Sequence, residues 1–334
     1  IFNIYLCFLY LPVGIILPLF VFGVYLLMLR KYSYLEICKV LIYAGVSSLF
    51  LPMLWYVAAW KQGGDAFLDV VLAENFGRFF HLSTPNIHYN LGHENGVWYN
   101  FMTLATGFIP WTIFFFFSLF GLKIQKSQKT MKESIKAVWN HIQNMEKEKL
   151  FSLVALVCIL FFYSIPSSKR SVYLMPAYPF IAIFLAQYAL YITEYRTRVT
   201  RIFAGFLATV TTVVLGIIGL TMAGVINPIQ LASQYTNRQS TLETVEYVTN
   251  MFTHPSGLTI CILLIVLVIL ISVFYQMSKK INIKILYSTI ALTFVINLLI
   301  DGVVMKGIRI GSSSRSFAEQ VQNTYPLDQT NMYV

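Results

Sequence analysis

Charge is what this chain has least of. Asp, Glu, Lys and Arg make up 11% of its 334 residues, against about a quarter in soluble domains. That is too little to cover a soluble surface, and a single water-facing core is excluded. Cysteine is also scarce: Cys7, Cys38, Cys158 and Cys261 are the only four. They form no CxxC or zinc spacing, so buried, inert thiols are the expectation. The chain has no Walker A loop, no GxSxG with triad partners, no HExxH and no dinucleotide-binding glycine pattern. Paired carboxylates deep in an apolar run, the mark of proton-driven transport, are missing as well.

What is present is apolar. Mean hydropathy is +0.68 and aromatics reach 16%, as expected where rings sit at lipid headgroups. A spanning helix needs about 20 apolar residues. Eight stretches meet or approach that length: 3–29, 37–60, 98–122, 149–165, 171–192, 202–224, 257–277 and 284–303. The predicted fold is an all-α polytopic membrane protein of about eight transmembrane helices with amphipathic interfacial helices on the outer face. Residues 1–303 form the membrane domain, with outer loops 61–97 and 225–256, and 304–334 begin an extracytoplasmic segment. The chain starts at Ile1 inside an apolar run, and further residues are expected upstream.

The net charge of +10 reflects topology rather than nucleic-acid binding. Alternating loops split the basic residues unevenly. Sixteen fall at Arg30–Lys39, Lys123–Lys149, Arg196–Arg201 and Lys279–Lys284, and eight in the other set. The first set is cytoplasmic by the positive-inside rule. The lysine-rich 123–148 connector reads as a solvated loop touching anionic headgroups.

Within loop 61–97, Leu68, Val71, Leu72, Phe76, Phe79 and Phe80 recur at helical spacing, as in a helix lying in the interface plane. In 225–256, Ser240-Thr241-Leu242-Glu243 predicts a capping box opening an amphipathic helix.

Two cationic groups stand out on the outer side. Glu74 and Arg78 are four residues apart. They form either an ordinary helical ion pair or a phosphate site, since guanidinium is planar and permanently charged. Lys169 and Arg170 occupy a short outer turn, against the charge bias. They are either snorkelling anchors or an anion site at the start of the following helix. His81, His88, His93 and Glu94 have no recognised metal spacing. Asp65 and Asp69 read as a helix-start pair. Asp301, near the outer end of the last span, is a functional suspect by position with a hydrated location as the alternative.

The run Ser168-Lys169-Arg170-Ser171-Val172-Tyr173-Leu174-Met175-Pro176-Ala177-Tyr178-Pro179 resembles the "SKRxxYLLPLYP" signature of lipid-linked-sugar glycosyltransferases. These include the lipid A aminoarabinose transferases and the bacterial relatives of protein O-mannosyltransferases. Glu74-Asn75-Phe76-Gly77-Arg78-Phe79, His93, Gly96, Trp98-Tyr99 and Gly107-Phe108-Ile109-Pro110-Trp111 are similar to that family's "ENxxRF … H..G.WYY … G.LPW" segment. Together the two cover about residues 65–190.

The resemblance implies a GT-C membrane enzyme of the bacterial inner (cytoplasmic) membrane, with its active face extracytoplasmic. It would move a sugar from a polyprenyl-phosphate carrier to a lipid A, protein or glycan acceptor. Arg78, Lys169 and Arg170 would bind the carrier phosphate. Glu74, His93, Trp98, Tyr99 and Tyr173 would line the substrate pocket. The resemblance names no certain cofactor. A divalent metal assisted by His93 and Glu74 stays open. The family's catalytic carboxylate sits in the first outer loop, and no residue here has that context, so it is expected upstream of Ile1. Implied partners are the lipid-linked donor, the acceptor and membrane lipids, with no nucleic acid. The alternative readings are a lipid-linked-sugar transporter or flippase, and a non-catalytic lipid-binding membrane protein.

Overall fold

The computed structural model describes residues 11–72, 95–120, 130–166, 169–313 and Ala318. Among these residues the chain is all-helical and has no strand. Five helices are long and apolar enough to cross a membrane, or six if one broken pair crosses as a unit. In hydrocarbon, backbone N–H and C=O groups find no water, and helices satisfy them internally. The exposed faces are correspondingly apolar: Val268, in the middle of one such helix, is 63% exposed. This is the architecture of an all-α membrane protein.

The helices are α1 (Leu11–Leu29), α2 (Tyr34–Leu72), α3 (Tyr99–Gly107), α4 (Trp111–Leu119), α5 (Met131–Gln143), α6 (Lys147–Ser164), α7 (Tyr178–Tyr195), α8 (Thr197–Met222), α9 (Pro228–Ser233), α10 (Gln239–Thr253), α11 (Gly257–Lys279), α12 (Asn282–Leu299) and α13 (Met305–Gly311). A 3₁₀ turn (Ser171–Ala177) precedes α7, and a π turn (Ile300–Val304) joins α12 to α13. The last helix therefore runs through residue 304 to Gly311.

Several ends have local causes. Ser33 and Glu36 form a reciprocal cap on α2: the Ser33 N–H and hydroxyl donate to Glu36 Oε2, and Ser33 Oγ accepts from the Glu36 N–H. Asn227 Oδ1 accepts from the N–H groups of Ile229 and Gln230 to start α9. The expected capping box at Ser240–Glu243 does not form. Helix α10 already begins at Gln239, so Ser240 is inside it, and its carbonyl accepts from the Thr244 hydroxyl. Glu243 instead accepts from Gln239 Nε2.

Helix α2 is bent at Gly64, which adopts φ +61°, ψ −156°, a region open essentially to glycine alone. Trp60 Nε1 donates to Asp65 Oδ1 across the bend. Helix α6 opens with Lys147, Glu148 and Lys149, leaving an apolar length shorter than a full span requires.

The thiols depart from expectation. Cys158 is buried, but Cys38 and Cys261 are exposed, because both lie on outward faces of apolar helices. A small apolar thiol suits a lipid-facing surface as well as a core.

The chain divides into two units, residues 1–112 with 121–188 and residues 113–120 with 189–334. In the first, Leu17 and Val21 of α1 pack on Leu150, Val154, Cys158 and Ile159 of α6, with Ala177 beside them. In the second, Ala204, Leu207 and Ala208 of α8 meet Ile262, Val266 and Leu270 of α11 and Leu292 and Val295 of α12. Lipid tails are as apolar as these side chains, so association relies on close packing and interhelical hydrogen bonds. Thr193 and Thr200, both buried, bond through their hydroxyls at 3.0 Å. Arg201 Nε and Nη2 donate to Asn282 Oδ1 at the start of α12. Arg196 donates to the carbonyls of Ser118 and Phe120 at the C-terminal end of α4, where a cation is favoured.

In the second unit, α10 and α13 approach at backbone distance. A Cβ added at Gly307 would lie 2.9 Å from Val248 Cα, and one at Gly311 would lie 2.7 Å from Thr244 Cα. Gly307-Ile308-Arg309-Ile310-Gly311 is thus a GxxxG contact against two residues one turn apart on α10.

Gly307→Ala and Gly311→Ala should each destabilise the protein by roughly 1–3 kcal/mol, the usual cost of overpacking. Gly219→Ala, with open space around the added methyl, should not. Thermal melting in detergent compares the three, and equal melting temperatures would reject the close contact.

On α5, Glu133 accepts from the Thr130 N–H and hydroxyl, and these bonds hold its carboxyl below the ordinary glutamate range. A lowered folded pKa stabilises above the unfolded value, and the contribution is lost as pH falls through the folded one. A carbon-13 NMR titration should give Glu133 a midpoint below that of a free glutamate. A midpoint at or above it would show that the cap does not form.

Candidate functional site

In the first unit, the turn carrying Lys169 meets the segment leading into α3. Asn95 Nδ2 donates to the Lys169 carbonyl at 3.0 Å, and Lys169 Nζ donates back to the Asn95 carbonyl at 3.1 Å. The ammonium also donates to the Pro166 carbonyl at 2.6 Å. These contacts join residues 74 positions apart into a closed ring.

Three further contacts extend the seam. Asn100 on α3 is 2% exposed, and its Nδ2 donates to the Tyr163 carbonyl and to Ser164 Oγ at the end of α6. Tyr163 stacks on Tyr173 of the 3₁₀ turn, with ring centres 5.6 Å apart and planes within 18°. Phe108 packs on Tyr178 at 5.0 Å. The stretches 95–108 and 169–178 therefore form one continuous contact.

Lys169 is 5% exposed, which is unusual for an ammonium. Burial of a charge is costly unless it is paired and hydrogen-bonded. Carbonyl dipoles take two of its three N–H donors. Among the described residues no carboxylate pairs with it. Among the described residues the ring is thus a nearly dry cation compensated by backbone dipoles.

Arg170, the next residue, points the other way in accessibility. It is exposed, and among the described residues its guanidinium makes no hydrogen bond or ion pair. Its backbone carbonyl accepts from the Tyr173 N–H and so opens the 3₁₀ turn. A regular helix was expected from residue 171, but α7 starts at Tyr178. Pro176 and Pro179 explain the delay, because proline supplies no N–H and disfavours α geometry in the residue before it. The helical segment beside Arg170 therefore opens as a 3₁₀ turn and continues directly into α7.

The other sequence candidates are placed as follows. Tyr173 is half-buried against Tyr163, and Tyr99 is half-buried at the start of α3. Trp98 is 76% exposed and lies against Phe101. Glu74, Arg78 and His93 lie outside the described residues, as do His81, His88, Glu94, Ser167 and Ser168. Asp301 is exposed in the π turn. No group of three metal-ligating side chains occurs among the described residues. Asn95 and Asn100 were not singled out from the sequence. An asparagine just before or just inside an apolar run is the available signal, since its amide must find partners once buried.

Lys169→Met should leave the Asn95 and Pro166 carbonyls short of a donor and lower stability by roughly 1–3 kcal/mol. Arg170→Ala should leave melting unchanged. If the two variants melt alike in detergent, the ring does not fasten the turn.

Comparison with known proteins adds little to this geometry. No protein-family model matches the chain, and no solved structure matches it. A stretch of 178 residues, 53% of the chain, is 29% identical to an uncharacterized protein of Aquifex aeolicus (strain VF5). That stretch covers 29% of the Aquifex protein, so the chain spans well under half the length of this relative.

Proposed function

We propose that this chain is part of a membrane glycosyltransferase that takes a sugar from a polyprenyl-phosphate carrier and delivers it to a lipid, protein or glycan acceptor. The transfer occurs at the extracytoplasmic face of a bacterial inner membrane. On this reading the eight apolar stretches are eight spans, with the lysine-rich connectors inside. The turn at Lys169–Tyr173 and the start of α3 then share the outer face.

One observation carries the reading. The two stretches that resemble the family's signatures are bonded to each other through Lys169 and Asn95, and the lysine so held is a buried cation with no carboxylate partner among the described residues.

The chemistry assigns the cations different tasks. The acceptor oxygen attacks the anomeric carbon while the bond from that carbon to the phosphate oxygen breaks. The electron pair stays on the departing polyprenyl phosphate, which gains a negative charge. The acceptor's proton passes to a general base, for which a carboxylate is the expected group. Cations fixed beside the departing phosphate stabilise the growing charge, more strongly in a low-dielectric setting than in water. Arg170, exposed and without a side-chain partner among the described residues, meets the phosphate. Lys169 holds the turn and offers its remaining N–H. Arg78 completes the phosphate contacts, with Glu74, His93, Trp98, Tyr99 and Tyr173 around the sugar.

The test is sugar transfer from a radiolabelled polyprenyl-phosphate donor, measured with the full-length gene product in liposomes. Arg170→Ala and Arg78→Ala should each reduce turnover by about 100-fold, the scale for losing one charge-stabilising donor. Arg170→Lys should recover only part, because the ammonium cannot bond a phosphate through two donors. Unchanged transfer in both alanine variants would refute the phosphate assignment.

A further inference from the structure

The second unit contains a cavity of about 380 Å³ between the end of α8, α9, α10 and α13. Its walls include Ile217, Val245, Val248, Phe252 and Ile308, and its most buried polar residue is Thr221. Thr221 is 7% exposed. Other threonines of α8 turn their hydroxyls back to the carbonyl four residues earlier, as Thr209, Thr211 and Thr212 do. The Thr221 hydroxyl makes no such bond and, among the described residues, has no partner. A buried hydroxyl without a partner costs roughly 1–3 kcal/mol, and this one borders an otherwise apolar space large enough for a ligand.

The depth of that hydroxyl limits what the ligand can be. Arg201, near the start of α8, is tied to Asn282 at the start of α12, a charged ring suited to one headgroup layer. Thr221 is 20 residues further along the same helix, about 30 Å at 1.5 Å per residue. That distance matches the hydrocarbon thickness of a bilayer. The cavity therefore lies where the opposite hydrocarbon boundary falls, the level at which lipid ester carbonyls meet acyl chains.

We infer that this cavity binds one acyl chain of an ester-linked membrane lipid, with the Thr221 hydroxyl donating to the ester carbonyl. The apolar walls take the chain, and the hydroxyl recognises the polar atom at its head. The close glycine contact between α13 and α10 fixes the wall, because Val248 and Thr244 both line the cavity and meet Gly307 and Gly311. Binding here does not depend on sugar transfer.

The test uses the protein in nanodiscs containing a phosphatidylcholine with a diazirine at the middle of one ester-linked acyl chain. After illumination, labelled peptides are mapped by mass spectrometry. Residues 217–221 and 244–252 should be labelled about tenfold more than the lipid-facing surface around Val268, a preference equivalent to 1.4 kcal/mol. Val245→Phe, which narrows the cavity, should reduce that excess and leave Val268 unchanged. Thr221→Val keeps the shape and carries the test if Val245→Phe does not fold. Unlabelled diester lipid should compete about fivefold better than diether lipid in the native protein, as expected for one hydrogen bond. The two should compete equally in Thr221→Val. Labelling no greater than at Val268, or no preference for diester over diether in the native protein, overturns the proposal.

Discussion

A positive charge removed from water has to be answered by something, and at Lys169 the answer is backbone. Its ammonium lies between the carbonyls of Asn95 and Pro166, and the Asn95 amide returns a bond to the Lys169 carbonyl. The lysine thus supplies donors to two carbonyls at once and draws the entry to α3 against the turn that leads into α7. Asn100 and the Tyr163–Tyr173 stack lie along the same seam. Without the buried charge they would be separate local contacts. With it, the stretch from 95 to 108 has a fixed counterpart between 169 and 178, and the exposed guanidinium of Arg170 is presented from an anchored position.

The second unit is held by other means. Its helices approach at glycines and bond through threonine hydroxyls, the devices available when neighbouring lipid competes equally for apolar surface. Gly307 and Gly311 bring α13 onto α10 at backbone distance, and Thr193 and Thr200 join the end of α7 to the start of α8. The first unit is fastened by an ion among carbonyls and the second by the absence of side chains. A polar head on an apolar walled space is a natural by-product of the second arrangement, since threonines placed for packing also bring hydroxyls.

Much of the fold was legible because hydrocarbon imposes one rule on every backbone group. Each of the eight apolar stretches holds helix in its described part, and five of the helices reach spanning length and apolarity. The breaks were harder to see. Pro110 lies inside the expected span 98–122, yet α3 ends at Gly107 and α4 begins at Trp111. Pro176 and Pro179 turn the expected helix start into a 3₁₀ segment. The Ser240 capping box failed because a two-residue shift of the helix start, to Gln239, moves the serine inside. The Gly307–Gly311 pair has meaning only once α10 is known to lie against it. For the site, the cations at 169 and 170 and the tyrosine at 173 were legible from the motif. Asn95 and Asn100 were not, because their roles are set by partners about 60 to 75 residues away, and pattern carries no information on that pairing.

The bend in α2 bears on how this helix leaves the lipid. From Tyr34 to Gly63 the helix is about 45 Å long at 1.5 Å per residue, enough to cross both headgroup layers as well as the hydrocarbon. Continued straight, the remaining turns would project into water as an unsupported rod. Gly64 redirects them where the crossing is complete, and the Trp60–Asp65 bond clasps the corner. The eight residues beyond, with Asp65 and Asp69 among them, become a short arm whose heading is set by a single glycine rather than by the long helix that precedes it.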